Sequence, residues 1–308
     1  MEKTLFILGA GFSKPLGLPV IADFLQLSKD MFQNDPVRYA KFNEIFQHIR
    51  QMGMAQSYVN VDLDNIEEIL SVLEMDALTK NEEVLVEKFK AYIGEVIRDS
   101  TPPISITCPP RRNVGFAGDN QEPVRYYIGN QHEDDPAVYL AFVASLFNVS
   151  LMWAKPESGN AETPVLPTWR TYNQTSCYGI ISLNYDMVLE MSVDAINAKL
   201  SQSPNKAEIG FSHSIPKTID ELYKPNHVHL AKLHGSVHDN SIIPPTWNKY
   251  QSTAVKNAWS LARRLIAGAN HIVFLGYVHD LPYLSPFQNR TNTTTSTLLI
   301  RSIKLVQF

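Results

Sequence analysis

The chain has 308 residues, a formal net charge of −4 at pH 7, and 44% hydrophobic against 19% charged residues, the balance of an ordinary globular protein with a sizeable core. So weak a charge excludes a global field that would draw it onto nucleic acid or an anionic membrane, and neither is expected as a direct partner. Two cysteines, Cys108 and Cys177, cannot build a four-cysteine zinc module or a disulfide framework and suit a reducing, cytoplasmic setting.

The opening run, Lys3-Thr-Leu-Phe-Ile-Leu8, has the length of one buried strand. It feeds into a turn, Gly9-Ala10-Gly11-Phe12-Ser13, and the residues after it, 13–32, read as a helix. A strand, a glycine turn and a helix start are how nucleotide-binding α/β folds begin. Glycines let the main chain bend sharply beside a pyrophosphate, while N–H groups at a helix start point at the anion. The expected donors are backbone groups near Ala10, Gly11 and Phe12, with the Ser13 hydroxyl beside them.

Helical patterns follow at 36–52, 64–76 and 82–99. In 64–76, Ile66, Ile69, Leu70 and Leu73 fall at helical spacing while Glu67, Glu68 and Glu74 read as a solvated face, with closure of the pocket as the alternative. Residues 100–130 form a long irregular, proline-containing segment, a candidate lid or partner contact. A buried helix is expected over 136–153, where the chain runs long without charge. Beyond it come a strand at 178–183, a helix at 186–199, a strand at 227–233, a helix at 252–268 and a strand at 271–275. The tail 281–308 presents no recognisable last strand. This alternation predicts a Rossmann-like α/β fold, a parallel sheet with helices on both faces. It would be built from residues 1–30 and 165–308, with a mostly helical insertion at 31–164.

Ligands of open parallel sheets bind beyond the carboxyl ends of the strands. The residues there are Gly9 to Ser13, then Asn184-Tyr185-Asp186, then His234-Gly235-Ser236, then Gly276-Tyr277. This set, with GAGFSKPLGLP at 9–19, LNYDMVLE at 183–190, LHGSVH at 233–238, PPTWNKY at 244–250 and IVFLGY at 272–277, resembles the sirtuin-like NAD-consuming domains, in their prokaryotic effector branch. The chain departs from the protein deacetylases of that family by lacking the cysteines of their zinc module, and it has Val278-His279-Asp280 after Gly276-Tyr277 where the family has serine and leucine.

The resemblance implies NAD hydrolysis to nicotinamide and ADP-ribose, with NAD as substrate and no cofactor beyond it. It also implies a defence effector that depletes NAD when triggered, within a homo-oligomer or with a separate sensor or activator protein. Nicotinamide leaves as a cation-derived neutral group, so the site needs a nucleophile and support for an oxocarbenium-like transition state. An amide can orient water or ribose without changing charge, which suits Asn184. An imidazole with an ordinary pKa of about 6.5 can take a proton near neutrality, which suits His234. The resemblance assigns those same roles. It places Asp186 on the nicotinamide side, the turn at Gly9–Ser13 on the pyrophosphate, and Gly276 and Tyr277 on the phosphate and adenine-ribose side.

Other readings stay open at this level. Asn184 and Asp186 could cap the helix near 186, and His234 could be a turn residue. His227, His229, His234 and His238 could hold a metal. The pocket could be a non-catalytic NAD or ADP-ribose sensor, or serve ADP-ribosyl transfer to a protein.

Overall fold

The computed structural model describes residues 1–55, 61–80, 83–106, 137–153, 165–169, 176–201, 208–238, 241–243, 253–276 and 302–306. In chain order its elements are β1 (Glu2–Leu8), α1 (Ile21–Asn34), α2 (Phe42–Met54), α3 (Ile66–Lys80), α4 (Glu83–Ser100), α5 (Ala137–Leu146), β2 (Val149–Trp153) and β3 (Val165–Trp169). There follow β4 (Ser176–Ser182), α6 (Val188–Leu200), β5 (Phe211–Ser212), β6 (Val228–Lys232), α7 (Thr253–Gly268), β7 (His271–Leu275) and β8 (Ser302–Val306).

Six strands form one parallel sheet in the order β5-β6-β4-β1-β7-β8. The chain steps outward from β1 to β4 and β6, then returns across the sheet to β7 on the other side of β1. The order therefore reverses between β1 and β7, which is where doubly wound sheets open a ligand crevice. This is the expected α/β, Rossmann-like architecture.

Period-two alternation sorts β1 between two cores. Leu5 and Ile7 join the cluster under α7, with Ile181, Leu261, Leu265 and Ile272. Phe6 and Leu8 face a larger cluster that runs through α6 and α5 into α1–α4, with Phe42, Phe89, Tyr92, Ile69 and Leu140 at its interior. The helical segment between β1 and β4 thus shares one apolar cluster with the sheet.

Three local expectations are corrected. The helix predicted for 13–32 begins only at Ile21, because Ala10–Phe12 and Lys14–Leu16 form separate 3₁₀ turns and Gly17 closes the second in the left-handed region, at φ 86°. Pro19 then holds its predecessor extended. The helix predicted for 136–153 ends at Leu146; Asn148 takes a left-handed φ of 54°, and Val149–Trp153 pairs antiparallel with Val165–Trp169. The tail does supply a last strand, since Ser302–Val306 pairs in parallel with β7. Lys304 breaks the apolar run there, so the segment lacks the continuous signal of a buried parallel strand.

α3 shows how sequence sets a helix boundary. The Asn65 side chain accepts from the N–H groups of Glu67 and Glu68 at 3.0 and 3.3 Å, and Glu68 reaches back to the Asp62 N–H at 2.9 Å. This resembles a capping box.

Candidate functional site

Strand register brings the four turns to one level. Leu8 stands opposite Ser182 on β4 and Leu275 on β7, and Ser182 stands opposite Lys232 on β6. The chain therefore leaves the sheet at Gly9, Leu183, Leu233 and Gly276 along a common rim, where Leu183 N–H donates to Leu8 O and Leu233 N–H to Ser182 O, each at 3.0 Å.

On the β1 and β7 side the backbone folds against itself. Gly9 N–H donates to Leu275 O at 2.9 Å and Gly11 N–H to Gly276 O at 2.8 Å, while Phe12 and Ser13 N–H groups turn back to Gly9 O and Ala10 O. Gly276 has φ 71°, and a Cβ there would lie 1.9 Å from Phe12 N; only glycine fits. These bonds correct the expectation of a row of free donors at Ala10, Gly11 and Phe12. Gly11 and Phe12 are engaged within the protein, and the exposed Ala10 N–H is the one in this turn with no partner among the described residues.

Across the rim, Asn184, Asp186, Ser13 and His234 are all buried polar residues. Asn184 Nδ2 donates to Gly9 O at 3.0 Å, pinning the β4 turn to the glycine turn. Its Oδ1 is buried with no hydrogen-bond partner among the described residues. Asn184 is thus no helix cap, and an unsatisfied buried acceptor calls for a ligand or water. Asp186 does support the start of α6, its carboxylate accepting from Val188 N–H at 3.1 Å. Burial pushes its pKa up; the Lys232 charge, the Ser13 hydroxyl and the Val188 N–H pull the other way, and Glu190 adds to the rise. His234 stands in the turn after β6 with its ring 6.1 Å from that of Tyr185, and its carbonyl accepts from Ile243 N–H at 2.9 Å.

The helical segment contributes groups that sequence reasoning missed. Tyr185 Oη donates to the Glu67 carboxylate on α3 at 3.0 Å, and burial, with that carboxylate, holds the phenol well above its ordinary pKa. Arg98 on α4 donates to Val237 O at 3.1 Å. Tyr139 on α5 donates to Phe12 O at 2.6 Å and stacks edge-on against the Phe12 ring. The acidic face of α3 is therefore solvated only in part: Glu68 is exposed, but Glu67 serves the rim, and Glu74 pairs with Lys90 at 3.2 Å, both of those last side chains largely covered. Tyr139 had no signal inside an apolar helix. Lys232 had one, a lone charge ending a buried strand.

His227 and His229 share a face, their rings in edge contact at 4.7 Å, but no three metal-ligating side chains converge among the described residues. Tyr277, the stretch 244–250 and the segment 107–130 lie outside the described residues.

Residues 179–290 match a family described as a SIR2-like domain. The match supports a sirtuin-like domain and covers the turns after β4, β6 and β7, including Asn184, Asp186, His234 and Gly276. The glycine turn after β1 lies outside it. No curated protein matches the chain. SIR2-like domains are in general NAD-dependent enzymes, which is compatible with the rim described above. No helix among the described residues is long and apolar enough to cross a membrane.

Proposed function

We propose that this protein is an NAD glycohydrolase, cleaving NAD with water to nicotinamide and ADP-ribose. The observation that carries this reading is Asn184: its amide nitrogen is fixed on the glycine turn while its oxygen is left buried and unsatisfied at the rim. Such an oxygen can accept from water or a ribose hydroxyl. In the proposed reaction the bond between nicotinamide nitrogen and the ribose anomeric carbon breaks, and its electron pair leaves with nicotinamide. Water adds to the anomeric carbon, and the proton it loses passes to His234 as base. Asp186 lies on the nicotinamide side. Ala10 N–H and the positions around Ser13, Gly276 and Tyr277 serve the phosphates and adenosine.

The biological role proposed is that of a triggered defence effector depleting cellular NAD, working as a homo-oligomer or with a separate sensor protein. Its support is the resemblance of the motifs, while the match over 179–290 supports the SIR2-like domain alone.

The test is nicotinamide release from NAD by wild-type protein and by Asn184→Ala and His234→Ala, with oligomeric state recorded in the same samples. Each variant is expected to lose about 100-fold or more in turnover. Unchanged turnover in both would remove the site assignment. Saturable NAD binding with no release under any condition would leave a sensor of NAD or ADP-ribose instead.

A further inference from the structure

Lys232 ends β6 with its side chain only 9% exposed, beside a Glu190 side chain 20% exposed. Its ammonium donates to Asp186 O at 2.5 Å, to Glu190 Oε1 at 3.0 Å and to Ser236 Oγ at 3.3 Å, with Met187 Sδ at 3.8 Å. Two of these partners belong to different turns of the rim: Asp186 to the turn after β4, Ser236 to the turn after β6. A buried ammonium is costly unless it is paired and hydrogen-bonded, and here its single carboxylate partner is supplemented by groups of both turns.

We propose that Lys232 is a positioning residue of the site, its ammonium tying the turn that carries Asn184 and Asp186 to the turn that carries His234. It touches no reacting atom. The inference rests on the NAD reading, because what it positions is that reading's machinery. The same charge favours the ionised form of the Asp186 carboxylate, which Glu190 opposes. The other groups acting at Asp186 are the Ser13 hydroxyl, the Val188 N–H and Tyr139, whose phenol interacts electrostatically with it.

The experiment compares Lys232→Met, Lys232→Arg and Glu190→Gln in the full chain by nicotinamide release across pH, with NAD affinity by calorimetry and folding by thermal melting. In Lys232→Met, kcat is expected to fall about 10- to 100-fold, the cost of small misplacements of catalytic groups, with KM changed far less; Lys232→Arg restores most of it. The acid limb of the rate profile, assigned as the one that Asp186→Asn abolishes, moves to higher pH in Lys232→Met and to lower pH in Glu190→Gln. A folded Lys232→Met with wild-type kcat and limb overturns the inference. If that variant does not fold, a Glu190→Gln limb that stays put or moves upward overturns it. Where wild-type protein binds NAD without release, the reading becomes that of a sensor, and the inference stands or falls on whether Lys232→Met weakens binding at least 10-fold and Lys232→Arg restores it. Wild-type protein that neither binds nor cleaves NAD overturns both.

Discussion

Around the glycine turn after β1 the main chain bonds to itself and to the neighbouring turn after β7, through Gly9, Gly11 and Gly276. The turns after β4 and β6 meet through a backbone bond, Val237 N–H to Tyr185 O at 3.0 Å, and side chains from outside the turns add to it: Lys232 from a strand end, Glu67 from α3 and Arg98 from α4. The first region is a rigid backbone cradle. The second is an adjustable one, its groups fixed by bonds that a shift of the helical segment would alter. The rim thus joins a part that local geometry dictates to a part that depends on how the helices are seated.

Four substitutions break or sharpen that contrast. The largest effect is expected in the backbone-held region. Gly276→Ala places a Cβ 1.9 Å from Phe12 N in a left-handed conformation, and should destabilise by about 3 kcal/mol or more in urea unfolding, combining backbone strain with overpacking. A loss below about 1 kcal/mol would mean that the two turns can separate. Tyr185→Phe removes a side-chain bond between α3 and the β4 turn. Hydrogen bonds to charged groups are worth roughly 1.5–3 kcal/mol when buried, so a loss of about 1–2 kcal/mol is expected for this half-buried pair, together with reduced turnover. Unchanged stability and turnover would show that the helical segment does not govern the rim.

Asp186→Asn tests the electrostatics of the same turn. Burial raises this carboxyl's pKa in the folded protein, so the folded state holds the proton more tightly than the unfolded chain. The protein therefore loses stability as pH rises from the ordinary carboxylate range through the raised value, and the penalty stays constant above it. The variant should be more stable than wild type at neutral pH and lose that slope. Lower stability at pH 7 would show instead that Lys232 and the hydrogen bonds dominate. The smallest effect is expected for Lys14→Ala beside the glycine turn. Its partner Asp23 lies 2.9 Å away with both side chains about half exposed, and such pairs contribute about 0–0.5 kcal/mol.

The strand pattern at 271–275 coincides with β7, and those at 178–183 and 227–233 lie within a residue or two of β4 and β6. Buried parallel strands are continuous apolar runs, so their sequence carries the signal directly. Asn184, Asp186, His234 and Gly276 were legible for the same reason: a polar or glycine residue just past such a run has a defined place in the fold. Glu67 was misread because its helix is amphipathic by pattern, and a carboxylate facing another element's phenol has the same local sequence as one facing water. The strand at 149–153 was absorbed into a helix because a long uncharged, mostly apolar stretch does not show where Asn148 turns left-handed. The donors of the glycine turn were overcounted because Phe12 N–H turns back to Gly9 O, and Gly276, which takes the Gly11 N–H, lies more than 250 residues away in the chain.

By itself the sequence determined the parallel α/β sheet, the glycine turn and the polar residues at the strand ends, all consequences of short-range periodicity and of glycine's conformational range. Only the tertiary structure decided which of those groups meet. The anchoring of Asn184 on Gly9, the reach of Glu67, Arg98 and Tyr139 into the rim, and the burial of Lys232 between two turns arise from contacts between residues distant in sequence. No local pattern encodes such contacts, because their energy comes from the water they exclude and the partners they find once the chain is packed.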